Sequence, residues 1–448
     1  MTTTSRKGRP FMQLPGTILD LIQALESRGF PTYAVGGCVR DSLLGLTPPD
    51  YDLCSAAAPE QLCSVFSGCR LVLAGLKHGT VGVVTSSGVV EITTFRTEGG
   101  YHDSRHPDWV RFVTHIEDDL ARRDFTVNAM AYSPTRGLAD PFGGQQDLHR
   151  RTLRAVGVPA ERFREDALRI LRGVRFAVRY GLTPDSATGQ AMEALAPLMD
   201  NLARERVFDE LCKLLPLVEA EDLLRFAPIL VQVIPELREC LGFDQHSPHH
   251  AYDLYTHTAH VTAAVPGTLP LRWAALLHDI GKVPCFTTDE NGRGHFYGHA
   301  QASAEMADGI LRRLKAPTAL REQAVTLIRL HMTPLEPDKK LLRRRLGKYG
   351  EETLLDLLAL QRADMGSKGT GGPADMTVFD RTAALIGQIR QEASCLRIKD
   401  LAVNGYDLMA LGITGPAVGQ TLARLLDLVL DEAVPNEREA LLRAAAKP

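Results

Sequence analysis

Nowhere among its 448 residues does the chain run 18 apolar residues in a row, so no segment is expected to span a membrane. Residues 1–15 lack the apolar stretch of a signal peptide, and none is expected. Low-complexity tracts and internal repeats are missing too. No cysteines stand at C-x-x-C spacing. The eight present, Cys38, Cys54, Cys63, Cys69, Cys212, Cys240, Cys285 and Cys395, are scattered. That argues against a zinc knuckle or a disulfide scaffold and for free thiols in a reducing cytoplasm. Neither sign of charge dominates. The formal net charge is −3, so the molecule as a whole is no magnet for nucleic acid, and RNA contact must come from local basic patches. Two stand out: six arginines between Arg162 and Arg179, and the cluster from Lys339 to Lys348. At ~100–200 residues per domain, the length points to three or four units.

The most informative stretch is Ala34-Val35-Gly36-Gly37-Cys38-Val39-Arg40-Asp41, followed by Asp50-Tyr51-Asp52. A glycine pair lets backbone approach phosphate closely, and Arg40 offers a fork of donors to phosphate oxygens. On a strand, Asp50 and Asp52 would share one face. Two carboxylates on one face suit Mg²⁺, which is held by one or two carboxylates plus substrate phosphates. A phosphate cradle beside a metal holder points to phosphoryl or nucleotidyl transfer.

Periodicity places a helix over 16–29 and strands at 33–35, 50–55, 71–73, 80–85 and 89–94, with a helix over 58–66. The N-terminal part therefore reads as α/β with a small mixed sheet. From about Glu161 the pattern is helical almost to the end. The stretch from Met365 to Asp375 reads as a flexible linker, and the one from Glu98 to Pro107 as a mobile loop. Glu91 lies in a strand of apolar neighbours. It is either a third acidic residue near the metal or a core glutamate paired to an arginine such as Arg96.

Three further blocks decide the reading. Arg122-Arg123-Asp124-Phe125-Thr126-Val127-Asn128-Ala129 carries an arginine pair, with Asp124 placed to cap a following helix. Glu165-Asp166-Ala167-Leu168-Arg169-Ile170-Leu171-Arg172-Gly173-Val174-Arg175-Phe176 sets Asp166 and Arg169 three apart on a predicted helix. There a carboxylate and a guanidinium could address the Watson–Crick edges of cytosine and adenine while refusing guanine and uracil. Arg204-Glu205-Arg206-Val207-Phe208-Asp209-Glu210-Leu211 follows. Together these motifs, over roughly residues 14–215, resemble class II tRNA nucleotidyltransferases: CCA-adding enzymes and bacterial poly(A) polymerases.

The resemblance implies a nucleotidyltransferase head (14–150) and a helical neck with a base-selecting helix (151–240). It implies Mg²⁺ on Asp50 and Asp52 with Glu91 nearby, and nucleotide binding by Gly36, Gly37, Arg40, Arg123, Asp166, Arg169, Arg172 and Arg175. In that family two Mg²⁺ ions assist in-line attack of the tRNA 3′-hydroxyl on the α-phosphate of CTP or ATP. The protein acts as its own template, and the Arg204 to Leu211 helix braces the template helix.

A second constellation lies in the helical body. His257, His278-Asp279 and Asp364, with His299 and His331 between, follow the order of an HD phosphohydrolase domain (245–370). That resemblance implies a divalent transition metal on His257, His278, Asp279 and Asp364 that activates water. His299 and His331 would add a second metal or hold substrate phosphate. Some tRNA nucleotidyltransferases use such a domain on damaged 3′ ends or cyclic phosphates. The helical tail (380–448), with its glycine-rich junction from Gly412 to Gly419, is either a support for tRNA or a plain connector.

The expected whole is therefore multidomain: an α/β head, then all-α neck, HD and tail domains. It would be a cytoplasmic enzyme adding CCA to tRNA from CTP and ATP. Two alternatives stand beside it. One is a poly(A) polymerase or a partial enzyme adding only C or only A. The other is an HD phosphohydrolase whose head senses nucleotide.

Overall fold

The computed structural model describes residues 12–99, 109–247, 251–369, 375–392 and 395–446. It divides into two compact units. One holds residues up to Leu217 together with Phe226–Val233, and the other holds Val218–Arg225 and everything from Ile234. The first unit thus holds the expected head and most of the expected neck (151–240), and residues 218–225 and 234–240 of that neck fall in the second.

Helix α1 (Gly16–Glu26) buries Ile18, Leu21, Ile22 and Leu25, the spacing of one helical face. It leads into β1 (Thr32–Val35), which is buried along its length, and then α2 (Gly37–Leu43). Next come β2 (Leu53–Ser55), α3 (Pro59–Val65), β3 (Leu71–Val72), β4 (Thr80–Thr85) and β5 (Gly88–Thr94). A separate ribbon pairs β6 (Arg96–Gly99) with β7 (Trp109–Phe112). Gly99 therefore closes a strand, and the rest of the loop expected there lies outside the described residues. After α4 (Ile116–Ala121), β8 (Ala131–Ser133) and β9 (Gly137–Ala139) complete a seven-stranded sheet in the order β3-β4-β5-β2-β1-β8-β9.

Only β2 and β5 in that sheet run parallel, with Leu53 opposite Ile92. This one pairing draws together residues 39 apart in sequence, and Asp52 and Glu91 stand one step before its first pair, Leu53 and Ile92. Asp50 and Asp52 precede β2 instead of lying in it. Asp52 still continues the sheet through its carbonyl, which accepts from Val35 N–H at 3.0 Å. Tyr33, Val35, Cys54, Phe95, Ile116, Leu120 and Ala131 fill the core beneath.

The neck follows α5 (Gly144–His149). It comprises α6 (Pro159–Glu165), α7 (Leu168–Tyr180), α8 (Ser186–Leu195) and α9 (Arg204–Leu214). Asp166 does not lie on the helix with Arg169, as expected from spacing. It has extended backbone between α6 and α7, and its Oδ1 accepts from Leu168 N–H at 3.0 Å. The local hydrogen bond of a short carboxylate competes with helix here.

Past α9 the chain passes from α10 (Ala220–Arg225), in the second unit, to α11 (Ala227–Val233), in the first. The second unit continues through α12 (Leu254–Ala264), α13 (Leu269–Leu277), α14 (His299–Arg313), α15 (Thr318–Leu330), α16 (Lys339–Tyr349), α17 (Glu351–Gly366) and α18 (Thr377–Gln391). It ends in α19 (Gly405–Ala410), α20 (Pro416–Leu430) and α21 (Arg438–Ala445), which close a small core of their own around Leu408, Leu425 and Leu441. Among the described residues no helix is long and apolar enough to cross a membrane. The basic cluster on α16 is not an open patch. Lys339 pairs with Glu392 and Glu432, Lys340 and Arg344 with Asp431, and Arg343 with Glu432.

Candidate active site

The Gly36-Gly37 turn follows β1 directly. Gly36 N–H donates to Met130 O at 3.0 Å, and its φ is 73°. A Cβ at Gly36 would stand 3.0 Å from Arg123 Nη1. Positive φ and the approaching guanidinium together call for glycine. The turn opens onto a cavity of about 430 Å³. Its lining draws arginines from several elements: Arg40, Arg122, Arg123, Arg169, Arg172 and Arg206 all line it, as do Asp52, Asp124 and Asp166.

Each of these arginines is held. Buried Asp119 accepts from Arg122 at 2.9 Å and from Arg123 at 3.1 Å. Burial alone would raise its pKa, but the two guanidinium charges pull it below the ordinary value. Arg172 brings both Nε (2.9 Å) and Nη2 (2.7 Å) to one oxygen, Oδ2, of Asp124, charge-assisted contacts on a single acceptor. Asp124 does not cap a helix as expected. Its Oδ1 accepts from Phe125 N–H and Asn128 Nδ2 ahead of a single 3₁₀ turn, Thr126–Asn128.

Burial pushes the Asp124 carboxyl up, but Arg172 and the hydrogen bond from Asn128 outweigh it and bring the pKa down to about 2. A carboxylate held below its ordinary value of 3.8 stabilises the fold above that value, and the benefit is lost as pH falls toward the folded value. Asp124→Asn should therefore cost about 2 kcal/mol at pH 7. Denaturant midpoints measured against pH should show the gap to the parent closing between about pH 4 and about pH 2.

Arg40 and Arg175 sit differently from the expectation. Arg40 is buried. Its Nε donates to Asp41 at 2.9 Å, Nη1 to Asn128, and Nη2 to the Tyr180 hydroxyl at 2.5 Å. Its guanidinium also stacks on the Tyr180 ring at 4.2 Å. It reaches the cavity wall while tying α2 to α7. Arg175 does not line the cavity. Its Nε donates to Glu210 of α9 at 2.6 Å, so it locks the neck helices together. Phe176, next to it, does reach the cavity.

Also on the cavity wall, Asp166 Oδ2 accepts from Arg206 at 2.7 Å. Arg169 donates to Glu165 at 2.7 Å and to the Arg122 carbonyl at 3.1 Å. A carboxylate and two guanidiniums thus stand side by side, although they come from a helix junction, α7 and α9. Sequence reading placed Arg206 only in a bracing helix. Its signal was the spacing to Glu210, which puts one arginine and one carboxylate of α9 on the face toward α7.

Asp50, Asp52 and Glu91 gather on a second cavity, of about 570 Å³. Asp52 also lines the first. Limited hydration, then the charges of Asp50 and Glu91, raise the Asp52 pKa, against the pull of Arg123. Crowded carboxylates of this kind fit a divalent cation, which would relieve their repulsion. Glu91 is exposed and not a core residue. Arg96, its expected partner in that reading, pairs with Glu98 at 3.2 Å.

In the second unit, His257 (α12), His278 and Asp279 (after α13), His299 (α14) and His331 (after α15) are buried together, with Asp364 of α17 beside them. Every histidine turns Nδ1 to a backbone carbonyl: His257 to Ser367 (3.2 Å), His278 to Ala275 (2.8 Å), His299 to Phe296 (2.8 Å), His331 to Ile328 (2.6 Å). A carbonyl accepts only, so Nδ1 carries the proton and Nε2 keeps a lone pair facing inward. Those Nε2 atoms lie 3.2–3.6 Å from Asp279 carboxylate oxygens: His257 and His278 on Oδ2, His299 and His331 on Oδ1. Asp364 Oδ1 is 3.1 Å from His257 Nε2. Burial lowers the His278 pKa, opposed by Asp279. Inward lone pairs around one carboxylate are a donor set that could hold a metal ion, with the carbonyls as outer partners.

Comparison with known proteins agrees along the chain. Residues 32–154 match the poly A polymerase head domain, 181–241 the probable RNA and SrmB-binding site of polymerase A, and 286–445 the putative tRNA nucleotidyltransferase domain 2. The last match begins after His278 and Asp279. The CCA-adding enzyme of Latilactobacillus sakei is 35% identical over 432 residues, covering 95% of this chain and 96% of the relative. That of Lactiplantibacillus plantarum is 32% identical over 94% and 93%. The crystal structure of the Bacillus stearothermophilus CCA-adding enzyme in complex with CTP superposes with a TM-score of 0.70 at 29% identity, covering 97% of each chain. With an arginine-lined cavity on a glycine turn, carboxylates at its edge and full-length relatives of one kind, the chain belongs to the CCA-adding enzymes, a family of nucleotidyltransferases that depend on a divalent metal.

Proposed function

We propose that this enzyme adds C, C and A to the 3′ end of tRNA from CTP and ATP, releasing pyrophosphate, with no nucleic-acid template. The observation that carries this reading is the single cavity in which phosphate-binding arginines, a metal-ready carboxylate and the Asp166–Arg169–Arg206 group meet. Arg122, Arg123 and Arg172 hold the triphosphate, and Asp166, Arg169 and Arg206 read the base edge. Arg40 and Arg175 set the angle of α7 against the head and against α9. Asp50, Asp52 and Glu91 are the holders of Mg²⁺, which supplies positive charge at the α-phosphate and at the attacking hydroxyl. The O3′–Pα bond forms, the bond to pyrophosphate breaks, and the hydroxyl proton leaves to solvent. Free cysteines throughout suit the cytoplasm.

The test uses a tRNA transcript ending before CCA, with CTP alone, ATP alone or both, and resolves the 3′ end to one nucleotide. Two C residues, then one A and a stop, are expected. A ladder of A would make the enzyme a poly(A) polymerase, and only C or only A would make it a partial enzyme.

A second reading is favoured by the four inward-facing imidazoles around Asp279. The second unit would then hold a divalent transition metal on His257, His278, Asp279 and Asp364, with a second on Asp279, His299 and His331. Such a centre activates water for phosphoester hydrolysis. The purified full chain is expected to carry or take up one to two metal equivalents by inductively coupled plasma mass spectrometry, and Asp279→Ala to lose them. A parent protein that binds none would end this reading.

A further inference from the structure

The second unit contains a cavity of about 390 Å³ that neither the arginine-lined site nor the histidine cluster uses. Two helices that carry metal-ligand candidates also build its wall. His260 and Ala264 lie on α12, one and two turns beyond His257, and Ser367 follows Asp364 at the end of α17. Tyr252, Glu219 and Glu221 line it as well, and no lysine or arginine does among the described residues. We propose that this cavity binds a nucleobase bearing an exocyclic amine, adenine or cytosine, presented without a triphosphate. Such a site stands apart from both readings above and depends on neither.

A flat wall is already in place. The Tyr252 and His260 rings stack with centroids 4.9 Å apart and planes 27° from parallel. Gly369, at φ 70°, packs so close that a Cβ there would stand 2.6 Å from Tyr252 Cε2. The backbone beside the ring is tied too: Ala251 N–H donates to Lys368 O at 2.9 Å, and Gln245 Nε2 donates to Tyr252 O at 3.3 Å. Two further bonds brace this wall against the buried cluster. Ser367 O accepts from His257 Nδ1 at 3.2 Å. Gln245 Oε1 accepts from Lys282 Nζ at 2.9 Å, and that ammonium lies 2.7 Å from Asp279 Oδ2. Although held, Tyr252 is 38% exposed, so it keeps ring surface for a base to cover. Preorganised walls of this kind lose little freedom on binding. Glu219 and Glu221 only accept hydrogen bonds. They suit the N6 amine of adenine or the N4 amine of cytosine and oppose the O4 carbonyl of uracil. Their charge repels a triphosphate, so the guest is a nucleoside or the base at a chain end. The volume lies in the range of small-ligand sites, about 300–1,000 Å³.

Equilibrium dialysis of the full chain with radiolabelled adenosine, cytidine or uridine, under saturating CTP and Mg²⁺ and without tRNA, reads this cavity apart from the arginine-lined one. Adenosine and cytidine should bind, and uridine about tenfold or more weakly. Ala264→Trp fills the cavity from an exposed position, and Tyr252→Ala removes the platform. Each should weaken adenosine binding about tenfold or more. The Kd for CTP, which reports a correctly folded chain, should stay within about twofold of the parent. Uridine bound as tightly as adenosine, variants that bind like the parent, or no nucleoside bound once CTP is saturating would each overturn the proposal. Competition by tRNA ending in CCA assigns the base to an RNA end, and indifference to that tRNA assigns it to a free nucleoside; either result upholds the pocket. A parent that adds no nucleotide, or takes up no metal, ends the corresponding reading above and leaves this cavity to be decided by the dialysis.

Discussion

Asp52→Asn should lower the rate of nucleotide addition by about 10³-fold or more, some 4 kcal/mol of transition-state stabilisation, while CTP still binds. Asp52 is the one of the three carboxylates that lines both cavities, so it borders the arginines as well as Asp50 and Glu91. The cavity arginines proposed to hold phosphate, Arg122, Arg123 and Arg172, have partners of their own, Asp119 and Asp124, and do not need Asp52 to stay in place. Triphosphate binding is therefore expected to survive. The charge balance gives a second readout. Limited hydration and the charges of Asp50 and Glu91 hold the Asp52 carboxyl above its ordinary pKa, so its ionised form destabilises the metal-free fold at neutral pH. The variant should thus melt no lower than the parent without Mg²⁺, and Mg²⁺ should raise the parent's Tm more than the variant's. A variant that retains near-parental turnover would remove Asp52 from the chemistry.

Asp166→Ala should relax nucleotide choice by about 10–100-fold, measured as UTP and GTP incorporation relative to CTP and ATP, a loss of about 1.4–2.7 kcal/mol of discrimination. Asp166 Oδ2 faces Arg206, and Oδ1 holds the first turn of α7. Alanine removes both contacts, so a second substitution is needed to separate them. Asp166→Asn keeps an oxygen for the Leu168 N–H but brings an NH₂ donor where the carboxylate only accepts. If Asp166 reads bases, asparagine should also mis-select. If it only caps α7, asparagine should restore selectivity. Unchanged selectivity in both variants would take base choice away from this residue.

The head was legible because its chemistry is local. A glycine pair beside an arginine and two aspartates flanking Tyr51 keep their meaning over a few residues. The strands at 80–85 and 89–94 and the helix from 16 announce themselves by period. Less was legible where a carboxylate chose between neighbours. Asp166 lies three residues before Arg169, as a helix pair would, but its own hydrogen bond to Leu168 N–H breaks α6 from α7. The string His257, His278-Asp279, His299, His331, Asp364 could be listed from sequence. That each Nδ1 finds a carbonyl, leaving each Nε2 inward, could not.

The sequence by itself determined the chemical inventory: carboxylates near a glycine turn, arginines at helical spacing, and histidines in a helical body. Tertiary structure decided which of those groups are available. Arg172 and Arg175 are one turn apart on α7, yet one lines the cavity beside Asp124 and the other is spent on Glu210, 35 positions downstream. Arg343 looks from sequence like part of an RNA-binding patch and is paired with Glu432, 89 positions away. Glu91 meets Asp52 through a parallel pairing of β2 with β5. The physical reason is the same each time. A charge in a folded chain goes to the opposite charge or metal-binding partner that packing brings within hydrogen-bonding reach, and that partner is set by the path of the backbone.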